Sequence, residues 1–88
     1  MVTIKNNKQR ILHRLKISAG QLKKVIDMVE KEEYCIDVLH NSLAVQKALK
    51  QIDLLIMEDH LKTCAVDQIK KGKETQLVSD LLGIYKYK

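Results

Sequence analysis

Phenylalanine, tryptophan and proline are all absent from this 88-residue chain, and three tyrosines are its only aromatic residues. Without large rings, the core has to be built from aliphatic side chains. With no proline, and glycine only at Gly20, Gly72 and Gly83, few positions force the backbone to turn, and long helices suit such a composition. Two cysteines do not make the disulfide framework that staples small secreted domains. No signal-peptide pattern and no apolar run of membrane-spanning length occurs. The expected compartment is therefore a reducing cytoplasm, where both thiols stay available. No nucleophile elbow, glycine-rich phosphate loop or HExxH motif is present, so the chain is not expected to be an enzyme.

What is present is aliphatic and charged. Apolar residues make up 45% of the chain, enough for one small domain over residues 1–88. A core of that size is modest, and oligomerisation would supplement it. The net charge of +5 is unevenly spread. Residues 1–24 hold seven basic residues (Lys5, Lys8, Arg10, Arg14, Lys16, Lys23 and Lys24) and no acid. Residues 27–37 then hold five acids against Lys31. A basic end of this kind points to a polyanion partner, most simply nucleic acid, the alternative being solvated helix surface. Lys8, Arg10, Arg14 and Lys16 form the densest basic segment and offer phosphate contacts. No aromatic residues interleave with them, which argues against base stacking. No helix-turn-helix or zinc-finger spacing is evident.

Residues 1–8 read as a flexible basic arm. From Gln9 to about Lys31, Ile11, Leu15, Ser18, Leu22, Val25 and Val29 recur at helical steps. Gly20 lies inside this helix, either for a close crossing or without consequence. A second helix is expected from about Tyr34 to Lys71. One stripe on it is Val38, Ser42, Val45, Leu49, Ile52 and Ile56. Ile36, Leu39 and Leu43 form another, and Leu54, Leu55 and Leu61 widen it. That is more apolar surface than one partner helix covers. At roughly 55 Å, the helix is also longer than so small a domain is wide. Gly72 stops it, and a short third helix from about Glu74 to Ile84 follows, with Leu77, Leu81 and Ile84 on one face. Residues 85–88 are expected to fray. The fold class is all-α, a three-helix protomer that assembles through its second helix.

Cys35, His60 and Cys64 are the soft-ligand candidates. His60 and Cys64 are four apart and share a helical face. Cys35 lies 25 residues before His60, at nearly the same phase but roughly 37 Å along the axis. A metal–sulfur bond is only about 2.3 Å long. The three can share an ion only if two copies pair antiparallel about a centre near Leu49, so that Cys35 of one meets His60 and Cys64 of the other. Two thiolates and an imidazole suit a soft ion. Cu(I) accepts three ligands, whereas Zn(II) wants a fourth. Alone, Cys35 reads as a small buried hydrophobe. A Cys64–His60 nucleophile–base pair is conceivable, although so small a helical chain offers little pocket. His13 and His40 have no Cys or His partner at helical spacing.

Several segments carry a family resemblance: His13-Arg14-Leu15-Lys16 with Gly20-Gln21-Leu22, then Tyr34-Cys35-Ile36-Asp37-Val38-Leu39. Ala44-Val45-Gln46-Lys47-Ala48-Leu49 and Glu58-Asp59-His60-Leu61 with Cys64 complete it. Over nearly its whole length the chain resembles the CsoR/RcnR/FrmR family of bacterial metal-sensitive transcriptional repressors. The resemblance implies an antiparallel four-helix dimer core and a dimer-of-dimers tetramer that binds double-stranded operator DNA. Its ligand pattern looks like the copper(I)-sensing branch, with Cys35, His60 and Cys64 as the copper ligands. Tyr34 and Asp80 would form an outer layer around the imidazole, Asp80 standing where the family has Glu. Arg14 matches a basic position that faces the operator. Lys8, Arg10 and Lys16 are its neighbours, and Lys47 and Lys50 are further candidates. The implied function is repression by the apo form and release from DNA when Cu(I) binds, which derepresses copper-resistance genes. The alternatives are a thiol- or persulfide-responsive repressor of the same fold, and a copper-buffering protein without a DNA role.

Overall fold

The computed structural model describes residues 7–87. It contains α1 (Lys8–Glu30), α2 (Cys35–Lys62), α3 (Cys64–Lys70) and α4 (Glu74–Tyr85). The first six residues of the expected basic arm lie outside the described residues. Asn7 precedes α1 and accepts the Ile11 amide at 2.8 Å, so Lys8 is already helical. The expected second helix is divided: Thr63, at φ −120° and ψ −70°, leaves the helical region and separates α2 from α3. The expected third helix is α4, ending one residue later than the sequence suggests.

The two sharp turns share one construction. After α1, the Glu32 amide bonds to Val29 O at 3.1 Å and the Glu33 amide to Met28 O at 3.0 Å. After α3, the Gly72 amide bonds to Ile69 O at 3.1 Å and the Lys73 amide to Gln68 O at 2.8 Å. Both are Schellman closures, which satisfy orphan carbonyls and need a left-handed residue. Gly72 supplies it at φ 72° with no Cβ cost. At the other turn Glu32 adopts φ 55°, against the usual preference of a residue with a side chain. The ends of α1, α2 and α3 also each carry an exposed acid-to-lysine pair four residues apart: Asp27–Lys31, Glu58–Lys62 and Asp67–Lys71. With lysine on the C-terminal side, each pair has the favourable sense relative to the helix dipole.

The turn at residues 31–34 folds α1 back along α2, and these two helices make the main packing contact of the protomer. Ile11 and Met28 of α1, Val45 and Ile52 of α2, and Cys64 and Ala65 of α3 are buried. Ser18 is buried as well, where α1 faces Ala48 and Ile52; small side chains there let the backbones approach. On α2 Val38, Ser42, Val45, Ile52 and Ile56 of the expected stripe face inward, but Leu49, expected with them, is 40% exposed. On α1 the expectation is corrected. Ile11, Ser18 and Val25 face α2, but Leu15, Leu22 and Val29 are exposed, and Met28 is buried in their place. The inward positions are Ile11, Arg14, Ser18, Val25 and Met28, so the stripe steps by three before four, and Leu15, Leu22 and Val29 each fall one residue, about 100°, off the contact line. Gly20 is exposed, and a Cβ there would meet nothing within 4 Å, so it serves no close crossing in the protomer.

The protomer is elongated, 54 × 28 × 16 Å, with a radius of gyration of 17.1 Å. A compact domain of this length would have about 12 Å. The apolar surface left over is extensive: Leu54 is 70% exposed, Leu43 54% and Leu39 50%. These are the surplus side chains of α2 that exceed what α1 can cover. A continuous apolar face of that kind is what an oligomer buries.

Candidate metal centre

Cys35 is the first residue of α2 and is exposed. Tyr34 precedes it at φ −54° and ψ 129°, an extended conformation that turns the chain into the helix. His60 lies in the last turn of α2 and is half-buried. Cys64 opens α3 and is buried. The spacing argument therefore holds for Cys35 and His60, which share one helix and lie at its opposite ends. For His60 and Cys64 it is modified, because the Thr63 break falls between them. Among the described residues, no three His, Cys, Asp or Glu side chains of one protomer converge on a point that could hold a metal. One chain offers an imidazole and a buried thiol at one end of the rod, and a lone exposed thiol at the other.

The donor chemistry fits a soft cation. A buried thiol at Cys64 and a half-buried imidazole four residues before it in sequence are sulfur and nitrogen donors of the kind that thiophilic, low-coordinate ions favour. The same face is incomplete in other respects. Gln68, four residues beyond Cys64, has its Oε1 buried and without a hydrogen-bond partner in the protomer.

Thr63 is the residue that spacing rules missed. Its amide bonds to Asp59 O at 3.1 Å and its Oγ1 donates to the same carbonyl at 2.7 Å. That Oγ1 lies 3.5 Å from Cys64 Sγ. Threonine is ordinary inside helices, and only its place between His60 and Cys64 could have singled it out. Asp59, beside His60, is 1% exposed. The other outer-layer candidates do not reach His60 within one protomer. Tyr34 is 66% exposed at the far end of α2. Asp80 is on α4, which packs on α3 and on no other helix of the same chain. Its Oδ1 accepts a 2.8 Å hydrogen bond from Gln76 Nε2.

The basic candidates lie along the hairpin. Lys8, Arg10 and Lys16 on α1, and Lys47 and Lys50 on α2, are exposed. Arg14 is half-buried and lines a shallow groove with Ser18, Gln21 and Gln51. Arg10 is close enough to Glu58 to help hold its carboxyl below the usual range, although the larger cause is the 2.8 Å hydrogen bond from Lys62. The start of α1 thus lies beside the end of α2, near His60.

Comparison with known proteins places this geometry. The copper-sensing transcriptional repressor CsoR of Bacillus subtilis is 42% identical over 79 residues, covering 90% of this chain and 78% of that protein. RicR, a copper-sensing transcriptional repressor of Mycobacterium tuberculosis, is 34% identical over 65 residues, covering 74% and 68%. The crystal structure of the copper-sensing repressor CsoR with Cu(I) from Geobacillus thermodenitrificans superposes with a TM-score of 0.88 at 33% identity. It covers 99% of this chain and 92% of its own. The family model described as metal-sensitive transcriptional repressor matches residues 7–86. The long hairpin, the split soft-ligand set and these matches agree: the chain belongs to the metal-sensitive transcriptional repressor family.

Proposed function

We propose that this protein is a copper(I)-responsive repressor, which binds operator DNA in its apo form and leaves it when Cu(I) fills a site shared by two subunits. The observation that carries this reading is the distribution of donors along α2 and α3: one exposed thiol at Cys35, and the His60–Cys64 pair at the opposite end. Two sulfurs and one nitrogen favour Cu(I) over harder or four-coordinate ions. The curated relatives are copper-sensing repressors, and the structural relative was crystallised with Cu(I).

Two chains pair antiparallel through the exposed apolar side of α2, and Cys35 of each comes to His60 and Cys64 of its mate. Two such dimers form the tetramer. Cys35, Cys64 and His60 would hold Cu(I), which would supply a soft Lewis-acid centre that takes the place of the thiol protons. His60 gives up one ring nitrogen to this cluster. Its other nitrogen is oriented by a hydrogen-bond partner, for which Tyr34 and Asp80 are the candidates. Because Cys64 begins α3 and α3 carries α4, a fixed thiolate changes the seating of both helices. The basic residues Lys8, Arg10, Arg14, Lys16, Lys47 and Lys50 contact operator phosphates in the apo arrangement and lose their joint fit in the other. The coupling is reciprocal, so DNA weakens copper binding by the factor by which copper weakens DNA binding.

The test is an anaerobic titration of Cu(I) into the protein–operator complex. Wild type is expected to dissociate as its sites fill. His60→Ala is expected to stay on DNA at the same copper concentration. An operator affinity unchanged with sites filled would overturn the reading.

A further inference from the structure

We infer that Thr63 is a positioning residue for the copper site, setting the aim of Cys64 relative to His60 through its hydroxyl. The inference rests on the copper reading above and adds a residue to it.

Thr63 is the single residue between the helix that carries His60 and the helix that Cys64 opens. Its backbone, at φ −120° and ψ −70°, departs from the helical pair of angles. No proline or glycine occupies this stretch, so ordinary breakers do not account for the departure. The side chain does. Oγ1 donates to Asp59 O at 2.7 Å, and the Thr63 amide reaches the same oxygen at 3.1 Å. One carbonyl thus takes two donors from one residue, the bonding by which a threonine hydroxyl bends a helix. The ladder resumes beyond it, with the Asp67 amide on Thr63 O at 3.0 Å.

The consequence falls on the two ligands. In a continuous helix His60 and Cys64 would stand one above the other. Here the break at Thr63 sets their mutual geometry, and the hydroxyl that holds the break also lies 3.5 Å from Cys64 Sγ. The contact can run in either sense. In the thiol form the hydroxyl accepts from S–H while it donates to Asp59 O. Against a metal-bound thiolate the same hydroxyl can turn and donate to sulfur. Asp59 O then keeps the Thr63 amide as its donor, so no carbonyl is orphaned. The oxygen therefore serves both states with a rotation of one proton. Hydrogen bonds of this kind to a ligand atom orient it and tune its donor strength.

Thr63→Val keeps the shape and removes the hydroxyl, Thr63→Ala removes both, and Thr63→Ser keeps the hydroxyl. Apo proteins are compared first by sedimentation and far-ultraviolet circular dichroism, then by competition for Cu(I) against a chromogenic chelator and by copper X-ray absorption. Thr63→Val and Thr63→Ala are expected to assemble, to gain helicity, and to bind Cu(I) about tenfold more weakly, with longer or more disordered copper–sulfur distances. Thr63→Ser is expected to match wild type. Wild-type affinity and spectra in Thr63→Val would overturn the inference. So would loss of assembly in both hydroxyl-free variants with Thr63→Ser intact, because the hydroxyl would then be a folding element. Failure of the copper reading itself looks different: wild type would take up no Cu(I), or Cys64→Ser would bind it as tightly as wild type.

Discussion

The two ends of the α2–α3 rod differ in what they do with a thiol. At the α2 N-terminus Cys35 follows an extended Tyr34 and stands in solvent, with Ile36 and Leu39 exposed beside it. At the other end Cys64 is buried, 3.5 Å from the Thr63 hydroxyl and four residues after a half-buried imidazole. One end carries two of the candidate donors, and the other carries the third. The difference teaches that, among the described residues, one protomer does not gather all three candidate donors by itself.

The sharpest way to break the comparison is to separate the ends genetically. Cys35→Ser and Cys64→Ser should each weaken Cu(I) binding by more than about 100-fold, beyond what loss of an outer hydrogen bond costs. Mixed after unfolding and refolding together, they should recover about a quarter of the tight sites, since half of random antiparallel dimers are heterodimers with one intact site of two. No recovery would mean that both thiols act within one chain. The pairing itself can be attacked next. Leu49 sits near the expected two-fold axis and is 40% exposed in the protomer. Leu49→Glu should weaken dimerisation by at least about 100-fold, roughly 3 kcal/mol, because an uncompensated charge would enter an apolar contact. Analytical ultracentrifugation reads the result.

The smallest expected effect concerns the turns that bound the rod. The same closure precedes the Cys35 end with Glu32 at φ 55° and follows the Cys64 end with Gly72 at φ 72°. Glu32→Gly should stabilise the protein by about 1 kcal/mol, and Gly72→Ala should destabilise it by a similar amount. Chemical denaturation of both variants checks the pair, and the Cu(I) affinity of the assembled Glu32→Gly protein should stay at the wild-type value.

These turns also mark what was legible in the sequence. Gly72 announced its turn, because glycine is the residue a left-handed position favours. Glu32 did not, since nothing in Lys31-Glu32-Glu33 forbids a helix. The closure there is made by backbone hydrogen bonds that residue types do not reveal. The inward stripe of α2 was readable at Val45 and Ile52, which are buried, but not at Leu49 between them, which is exposed. On α1 Ile11, Ser18 and Val25 were read correctly, but the positions between them were assigned one residue too late, and Met28 rather than Val29 entered the core. The candidate ligands Cys35, His60 and Cys64 were named from residue chemistry and phase together. Thr63 escaped because its effect depends on a hydroxyl choosing the Asp59 carbonyl, a tertiary and rotameric choice rather than a pattern. The outer residues Tyr34 and Asp80 were named by resemblance, and within a protomer they stand apart from His60.

The protomer's slender outline has a consequence for dosage. A body so thin keeps much of its oily surface wet until a mate arrives, so its resistance to heat should climb as more copies are present. Dilution would loosen the fold and part the candidate donors in one step, since among the described residues no single protomer brings three of them together. A cell holding few copies would then lose repression through mass action, with no copper signal at all.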